Sequence, residues 1–215
     1  MYNQKMKNVF LRKVVLLAVL GCVYVGVLRA NERRSENRRA PVNVLMLGLT
    51  DNVRSNYFPK VMISEETGIE EELIDREYNA VIMENITASA NGAYKFVSAD
   101  ADAHKWVSLI RVNGEADESY SDVSQAPLEE FRMALEMAEA DYLLVINQHY
   151  LKWQERPMRT LFHIVSYSLF DKEQNEVYRG NHHFTSMYLE CPEGIRRISR
   201  RATSRIASTI VNQIR

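Results

Sequence analysis

Cysteine is nearly absent from this 215-residue chain, which contains only Cys22 and Cys191. Cys22 lies inside an apolar run near the N-terminus, so a domain that follows this run has one thiol. One thiol cannot form an internal disulfide, and it cannot build a cysteine cluster for a metal ion. We therefore expect the fold to be held by its hydrophobic core and to carry no cofactor.

Glycine is scarce as well, with eight residues in the whole chain. The sequence contains no Walker loop and no Gly-x-Gly-x-x-Gly turn, the motifs whose backbone amides hold phosphate groups. It also lacks the Gly-x-Ser-x-Gly turn that presents a catalytic serine. These absences argue against nucleotide binding and serine hydrolase chemistry, and we predict that the protein is not an enzyme.

The five histidines show no pattern typical of a metal site. His182 and His183 are adjacent in a predicted strand, so their side chains point to opposite faces and cannot bind one ion together. His104, His149 and His163 have no cysteine or second histidine at a ligand spacing. We predict no metal site.

The distribution of charge differs strongly between the N-terminus and the rest of the chain. The first 30 residues contain five basic residues and no acid, whereas the remainder contains 22 basic and 28 acidic residues, a net charge of −6. Affinity for nucleic acid depends mainly on neutralising phosphates. An acidic body therefore predicts that DNA and RNA are not partners.

Residues 1–30 have the pattern of a secretory signal peptide. Four basic residues precede an apolar run of 15 residues, Val14 to Leu28, which is shorter than the roughly 20 residues of a membrane-spanning helix. Leu28-Arg29-Ala30 offers a small-residue cleavage site before Asn31. We expect an exported, periplasmic protein.

Two alternatives to cleavage after Ala30 stay open. The segment could remain as an uncleaved anchor facing the periplasm, or Val19-Leu20-Gly21-Cys22 could be processed as a lipobox with lipid on Cys22. The polar stretch 31–40 contains four arginines and is typical of a solvated basic linker. Membrane contact is then expected only through the N-terminal segment, if it is retained.

The hydrophobic pattern of residues 41–215 predicts a single α/β domain with the element order β-α-β-α-α-β-β-β-α. Strands are predicted at 42–49, 94–99, 140–146, 159–170 and 176–188, and helices at about 68–90, 100–112, 127–138 and from Pro192 onward. Val61–Ile63 is expected to be extended, and 113–124 to be an acidic loop. The alternating first half implies parallel strands, and the hairpin at 171–175 implies an antiparallel extension of the same sheet. We place Ala140–Ile146 at the centre of that sheet.

Short motifs in the second half of the chain resemble a recurring bacterial envelope domain. Ala140-Asp141-Tyr142 enters a strand, Asp171-Lys172 and Glu176-Val177-Tyr178 flank a hairpin, and a helix follows. This order is similar to the TolB amino-terminal-like group, which includes the periplasmic domain of the curli secretion channel and activator lipoproteins of penicillin-binding proteins. Asn147 stands where that group has a glycine. The resemblance covers roughly 41–215 and implies this fold.

The predicted C-terminal helix has an apolar stripe and a basic face. The stripe consists of Ile195, Ile198, Ala202, Ile206, Ile210 and Ile214, at spacings of three and four. Opposite it lie five arginines: Arg196, Arg197, Arg200, Arg201 and Arg205. A charged outer face is ordinary for a surface helix. On an acidic protein it is also the best candidate for binding an acidic partner.

The sequence favours an exported envelope protein that works through protein–protein contact, as an accessory or assembly component. Two further hypotheses stay open. One is an enzyme acting on an envelope polymer, using the acids of loop 113–122 (Glu115, Asp117, Glu118 and Asp122) and a histidine. The other is a membrane-surface protein that uses the basic C-terminal helix. The identity of the protein partner is open, and a homo-oligomer is one alternative.

Overall fold

Eight strands and four helices make up the described part of the chain. The computed structural model describes residues 41–90, 94–99 and 105–214, so the segments predicted at 1–30 and 31–40 lie outside the described residues. The strands are β1 (Val42–Gly48), β2 (Val53–Ser55), β3 (Tyr94–Ser98), β4 (Arg111–Asn113), β5 (Tyr120–Asp122), β6 (Tyr142–Gln154), β7 (Thr160–Phe170) and β8 (Glu176–Ser186). The helices are α1 (Lys60–Thr67), α2 (Ile74–Ala88), α3 (Leu128–Met137) and α4 (Pro192–Gln213).

The main sheet is mixed, with the strand order β3-β1-β6-β7-β8. β1 runs parallel to both β3 and β6, and β2 continues beside β6 where β1 has ended. β6, β7 and β8 are successively antiparallel. This topology confirms the predicted α/β class, with parallel strands in the first half and an antiparallel extension in the second.

Helices cover both faces of this sheet, which explains why β1 reads as an almost continuous apolar run. On one face, Val44 and Met46 pack in a core with α2 and α4. On the other face, Leu45 and Leu47 pack with α3 and with a short 3₁₀ turn at Lys105–Leu109. The carboxyl ends of β1 and β3 therefore lead into connections on opposite faces.

β6 lies between β1 and β7, which confirms the central position predicted for Ala140–Ile146. Leu144 is opposite Met46 on one side and Leu169 on the other, and it is completely buried. The strand extends eight residues beyond the predicted end at Ile146, through a bulge at Asn147 to Gln154.

The prediction of an extended Val61–Ile63 is wrong, because these residues lie in α1. The helix begins after Pro59 and ends at Gly68, whose φ of 74° is the left-handed conformation common at helix C-termini. Val61 and Ile63 are β-branched, which suggested a strand. The burial of Ile63 and Thr67 at a spacing of four is the helical pattern instead.

The predicted helix at 100–112 is also wrong in its described part. Residues 100–104 lie outside the described residues, and the rest forms the 3₁₀ turn followed by β4. β4 pairs antiparallel with β5, which lies inside the segment predicted as a loop, and Arg111 is opposite Asp122. The turn between them needs Gly114, which has a φ of 73° and would place a Cβ 2.4 Å from the backbone oxygen of Glu118.

Candidate functional site

α4 is amphipathic in the way its sequence predicts. Ile195, Ala202, Ile206 and Ile210 of the predicted stripe are buried, and Ile198 and Ile214 are half-buried against the same core. Asn85 of α2 fixes the helix laterally, because its Nδ2 donates to Arg196 O at 2.7 Å and to Ser199 Oγ at 2.8 Å. Asn85 and Ser199 are buried and Arg196 is half-buried, so these two hydrogen bonds fix α4 against α2 away from solvent.

The structure divides the five predicted arginines into one that forms a salt bridge and four that are exposed. Arg196 is half-buried, and its Nε and Nη2 donate to Glu84 Oε2 at 3.1 and 2.8 Å. This hydrogen bond raises the pKa of Arg196. The other four are exposed, and none forms a salt bridge with any residue that the structure describes: Arg197, Arg200, Arg201 and Arg205. We call these four the arginine face.

The members of the arginine face lie close together on the helix surface. Arg197, Arg201 and Arg205 follow each other at a spacing of four, which places them in one row, and Arg200 lies beside the row. Like charges at this spacing destabilise a helix by roughly 0.2–0.5 kcal/mol per pair. The cluster therefore lowers the stability of α4 when no partner neutralises it.

A crevice of about 630 Å³ lies outside the carboxyl ends of β1 and β3, at the place where ligands bind in many open α/β sheets. Lys60 crosses it, with Nζ 2.9 Å from Asp51 Oδ1 and 2.9 Å from Asp75 Oδ2. The second oxygen of Asp75 accepts a hydrogen bond from Val53 N at 2.7 Å. The hydrogen bond from Lys60 also lowers the pKa of Asp51.

The amides beside this crevice are likewise paired with each other. Asn52 Nδ2 donates to Asn79 Oδ1 at 2.9 Å, and Asn79 Nδ2 donates to Leu49 O at 2.9 Å. Gly48 permits this contact, because a Cβ there would lie 2.6 Å from Asn79 Cβ. These polar groups fix the connection from β1 to α2, so the crevice walls are held by their own hydrogen bonds.

The acidic loop of the enzyme hypothesis packs on the sheet through its serines. Ser121 Oγ donates to Asn147 Oδ1 at 2.6 Å, while Asn147 Nδ2 donates to Ser119 O at 3.1 Å and to Ser168 Oγ at 3.2 Å. Within the described ranges no histidine hydrogen-bonds to an acid of this loop, and no three potential ligands gather into a metal site. The carboxylates of this loop and the described histidines therefore form no hydrogen-bonded pair.

The replacement Asn147→Ala is expected to lower the free energy of unfolding by about 1–3 kcal/mol, because it leaves the buried partners of this amide unsatisfied. Urea unfolding measures the loss, and faster proteolysis within 113–122 should accompany it. Asn181→Ala is the matched control, since Asn181 makes a single bond, to Asp117 O at 3.0 Å, in a more exposed place. Equal losses in the two variants would contradict an anchoring role for Asn147.

His149 and His163 form a buried pair that the sequence analysis did not predict. His149 Nε2 is 3.1 Å from His163 Nδ1, and His163 Nε2 is 3.0 Å from Ser186 Oγ. Ser186 Oγ donates to Tyr188 O at 2.6 Å, so it accepts from His163. His163 therefore carries its hydrogen on Nε2 and accepts a hydrogen bond from His149.

Burial keeps both histidines neutral. Desolvation lowers the pKa of His163 to about 3, and desolvation together with the neighbouring His163 lowers the pKa of His149 well below its ordinary value. The two residues lie diagonally across the β6–β7 hairpin, on one face of the sheet. The two histidines can be recognised as a pair only when the register of the β6–β7 hairpin is known.

The two remaining histidines that the structure describes each lie beside an aromatic ring. His182 stacks on Tyr167 and His183 lies against Phe162, on opposite faces of β8 as predicted, while His104 lies outside the described residues.

Among the helices between residues 41 and 214 that the structure describes, none has the length and hydropathy needed to cross a bilayer.

Comparisons with known proteins give no family for this chain. No family model and no curated protein matches it. A PelC dodecamer from Paraburkholderia phytofirmans is similar at 9% identity, covering 78% of this chain and 87% of that one, with a TM-score of 0.39. The hypothetical protein CT253 from Chlamydia trachomatis is similar at 10% identity, covering 80% and 98%, with a TM-score of 0.46. Lipoprotein GNA1162 from Neisseria meningitidis is similar at 12% identity, covering 81% and 98%, with a TM-score of 0.32.

TM-scores below 0.5 at these identities carry no argument for a shared fold or function. The resemblance to the TolB amino-terminal-like group therefore stays a prediction.

Proposed function

We propose that this protein is an exported, non-enzymatic component of a bacterial cell envelope that works by contact with another protein through its arginine face. The observation that carries this proposal is the row of exposed arginines on a helix that is packed on α2 and hydrogen-bonded to it. These four positive charges, which form no salt bridge with a described residue, contrast with the acidic character of the rest of the domain. They supply a surface that is complementary to an acidic partner.

The chemistry of arginine suits this role. The guanidinium group is always charged, binds carboxylates with two parallel hydrogen bonds, and is enriched in protein interfaces. Because α4 is already ordered, docking costs little conformational entropy beyond that of the side chains. Complementary charge of this kind mainly accelerates association and sets specificity.

A second copy of the chain is one candidate partner. Five exposed glutamates lie on the segment from α1 to the start of α2: Glu65, Glu66, Glu70, Glu71 and Glu72. A contact between this acidic segment and the arginine face of another copy would be head-to-tail, and such contacts close into rings or extend into filaments. The alternative is an acidic envelope protein.

The non-enzymatic part of the proposal is supported by how the polar groups of the crevice are used. Its charged and amide side chains bond to each other, as described above for Lys60, Asp75 and Asn79. A catalytic site would instead direct some of these groups toward a substrate.

Export is proposed from the N-terminal pattern, and it gives a direct prediction. The mature protein is expected to begin at Asn31, because the apolar run is too short to span a bilayer and Ala30 provides the cleavage site. N-terminal sequencing of the protein recovered from the periplasm checks this. A mature protein that begins at a lipid-bearing Cys22 would show lipoprotein processing instead.

Crosslinking in intact cells, followed by pull-down and mass spectrometry, tests the contact function. The exposed Cys191, at the start of α4, can carry a photo-crosslinker beside the arginine face. We expect reproducible crosslinks to one acidic envelope protein or to a second copy. Crosslinks that come equally from a reporter at an exposed position on the opposite face, such as Met133, would argue against the proposal.

A further inference from the structure

Aromatic and methionine side chains gather at one end of the sheet, beyond the carboxyl end of β1. The register places Trp153 opposite Leu161, and Leu161 opposite Ser186, so the β6–β7 turn and the residues after β8 share this end. We call the following group the aromatic end: Tyr57, Phe58, Trp153, Met158, Met187 and Tyr188. Four of its members are well exposed, at 57% for Tyr57, 72% for Met158, 62% for Met187 and 72% for Tyr188.

Three of the rings form a contacting cluster. The ring centroids of Tyr57 and Trp153 are 6.1 Å apart in a stacked arrangement, and those of Phe58 and Trp153 are 5.6 Å apart, edge to face. Phe58 and Trp153 are half-buried and pack against the core, while Tyr57 projects from it. The cluster thus joins the core to the surface.

The loop that presents Tyr57 is held in place by two polar side chains. Ser55 Oγ donates to Leu151 O at 2.8 Å and accepts from the backbone amides of Tyr57 and Phe58 at 3.1 and 2.9 Å. Asn56 bonds both to the amide and to the carbonyl of Trp153, at 2.7 and 3.2 Å. These hydrogen bonds hold the backbone in a conformation that leaves the Tyr57 side chain exposed.

The other two loops of the aromatic end are fixed in the same manner. Gln154 Nε2 donates to Arg156 O at 2.6 Å within the β6–β7 turn that carries Met158. Ser186 Oγ donates to Tyr188 O at 2.6 Å, and Ser186 is in turn held by His163. Large apolar side chains are thus exposed on three ordered loops at one end of the sheet, and exposed apolar surface of this kind marks interaction sites.

Positive charge accompanies these apolar side chains. The exposed residues of the segment 152–159 include Lys152, Arg156 and Arg159 against the single acid Glu155. The domain as a whole is acidic, since residues 41–215 contain 18 basic and 26 acidic residues, a net charge of −8. The aromatic end is therefore suited to contact with an anionic surface, although the net charge of the whole domain is negative.

We propose that the aromatic end binds the surface of an anionic lipid membrane. Tyrosine and tryptophan are favoured at the level of the lipid headgroups, and nearby lysine and arginine are attracted by anionic lipids. The apolar side chains lie on three separate loops, which a fluid surface accommodates without a matching shape. This contact uses none of the residues of the arginine face, and it lies at the opposite end of the sheet from Val42, the first residue of β1.

Quenching of tryptophan fluorescence by brominated phosphatidylglycerol vesicles tests this proposal on the full chain. The only tryptophans are the half-buried Trp153 and the buried Trp106, and residues 1–40 contain none, so lipid binding by the N-terminal segment gives no signal. We expect quenching by anionic vesicles that is lost in Trp153→Phe. The double variant Met158→Asp and Tyr188→Asp should bind about tenfold more weakly, since it loses two inserted side chains and gains two negative charges.

Met137→Asp is the matched control, because Met137 is exposed at 83% at the end of α3, and it should be quenched like the wild type. Equal quenching by brominated phosphatidylcholine vesicles, or equal quenching of the double variant, would overturn the proposal. An absence of quenching by anionic vesicles would also overturn it, and self-association that the double variant abolishes would then show that the aromatic end is a protein contact.

Discussion

Leu144→Ala is expected to lower the free energy of unfolding by about 2–5 kcal/mol, the usual range for truncating a fully buried leucine. Leu144 is completely buried in β6, the central strand of the sheet, between Met46 of β1 and Leu169 of β7. Strands on both sides and helices on that face leave little freedom for the site to collapse around the lost methyl groups. The midpoint of urea unfolding, with an unchanged slope, measures the loss.

Val177→Ala is the matched control for this core truncation. Val177 lies on the edge strand β8 and is exposed, so removing its methyl groups should change stability by less than about 0.5 kcal/mol. A loss below about 1 kcal/mol for Leu144→Ala would contradict the central position of β6.

Acidification is expected to destabilise the protein strongly between pH 6.5 and pH 4.5, through the buried pair His149 and His163. In the unfolded chain both histidines bind a proton near pH 6.5, whereas burial lowers the pKa of His163 to about 3 in the fold and lowers that of His149 in the same direction. Protons therefore bind preferentially to the unfolded state as the pH falls. The contribution of the two neutral histidines to stability is therefore complete above about pH 6.5 and is lost progressively toward pH 3.

The size of this effect follows from the shift of His163. Each pKa unit corresponds to about 1.4 kcal/mol, so His163 alone should cost roughly 2–3 kcal/mol between pH 6.5 and pH 4.5. His149 adds to this in the same direction. Carboxylates contribute little in this window, since their ordinary pKa values lie near or below its lower end. The melting temperature as a function of pH measures the slope.

Substitution separates the buried pair from other titrating groups. The double variant His149→Gln and His163→Gln should be less stable at pH 7 but should show a much flatter dependence on pH, because glutamine does not titrate. His183→Gln, at an exposed position of β8, should keep the wild-type slope. An unchanged slope in the double variant would show that the acid sensitivity arises elsewhere.

Hydrophobic periodicity and the positions of turn residues and prolines were sufficient to predict most of the sheet and the long helices. The apolar run of β1, the hairpin between β7 and β8 and the stripe of α4 each follow from patterns within one segment. These patterns carry information because both faces of β1 are buried and one face of α4 is buried. Their positions in the structure agree with those predictions to within a few residues.

The missed features depend on contacts between segments. The helix α1 is short and only weakly amphipathic, so its β-branched residues suggested a strand until the burial of Ile63 and Thr67 was known. The histidine pair depends on the register of β6 against β7, which is set by contacts between the two strands and not by a pattern within either one. The distinction between Arg196 and the arginine face depends on Glu84, more than one hundred residues earlier in the chain.

The arginine face is tested most directly by the triple variant Arg197→Gln, Arg200→Gln and Arg201→Gln, compared with the wild type for partner recovery and thermal stability. These side chains are exposed and form no salt bridge with any described residue, so the melting temperature should change by only the equivalent of a few tenths of a kcal/mol per site. Binding of the partner should fall, and wild-type binding should weaken with added salt, because exposed charges are screened beyond roughly 8 Å at physiological ionic strength. Ile198→Asp is the control that disturbs the packing of α4 itself. Partner recovery that is unchanged in the triple variant at every salt concentration would contradict the proposed function.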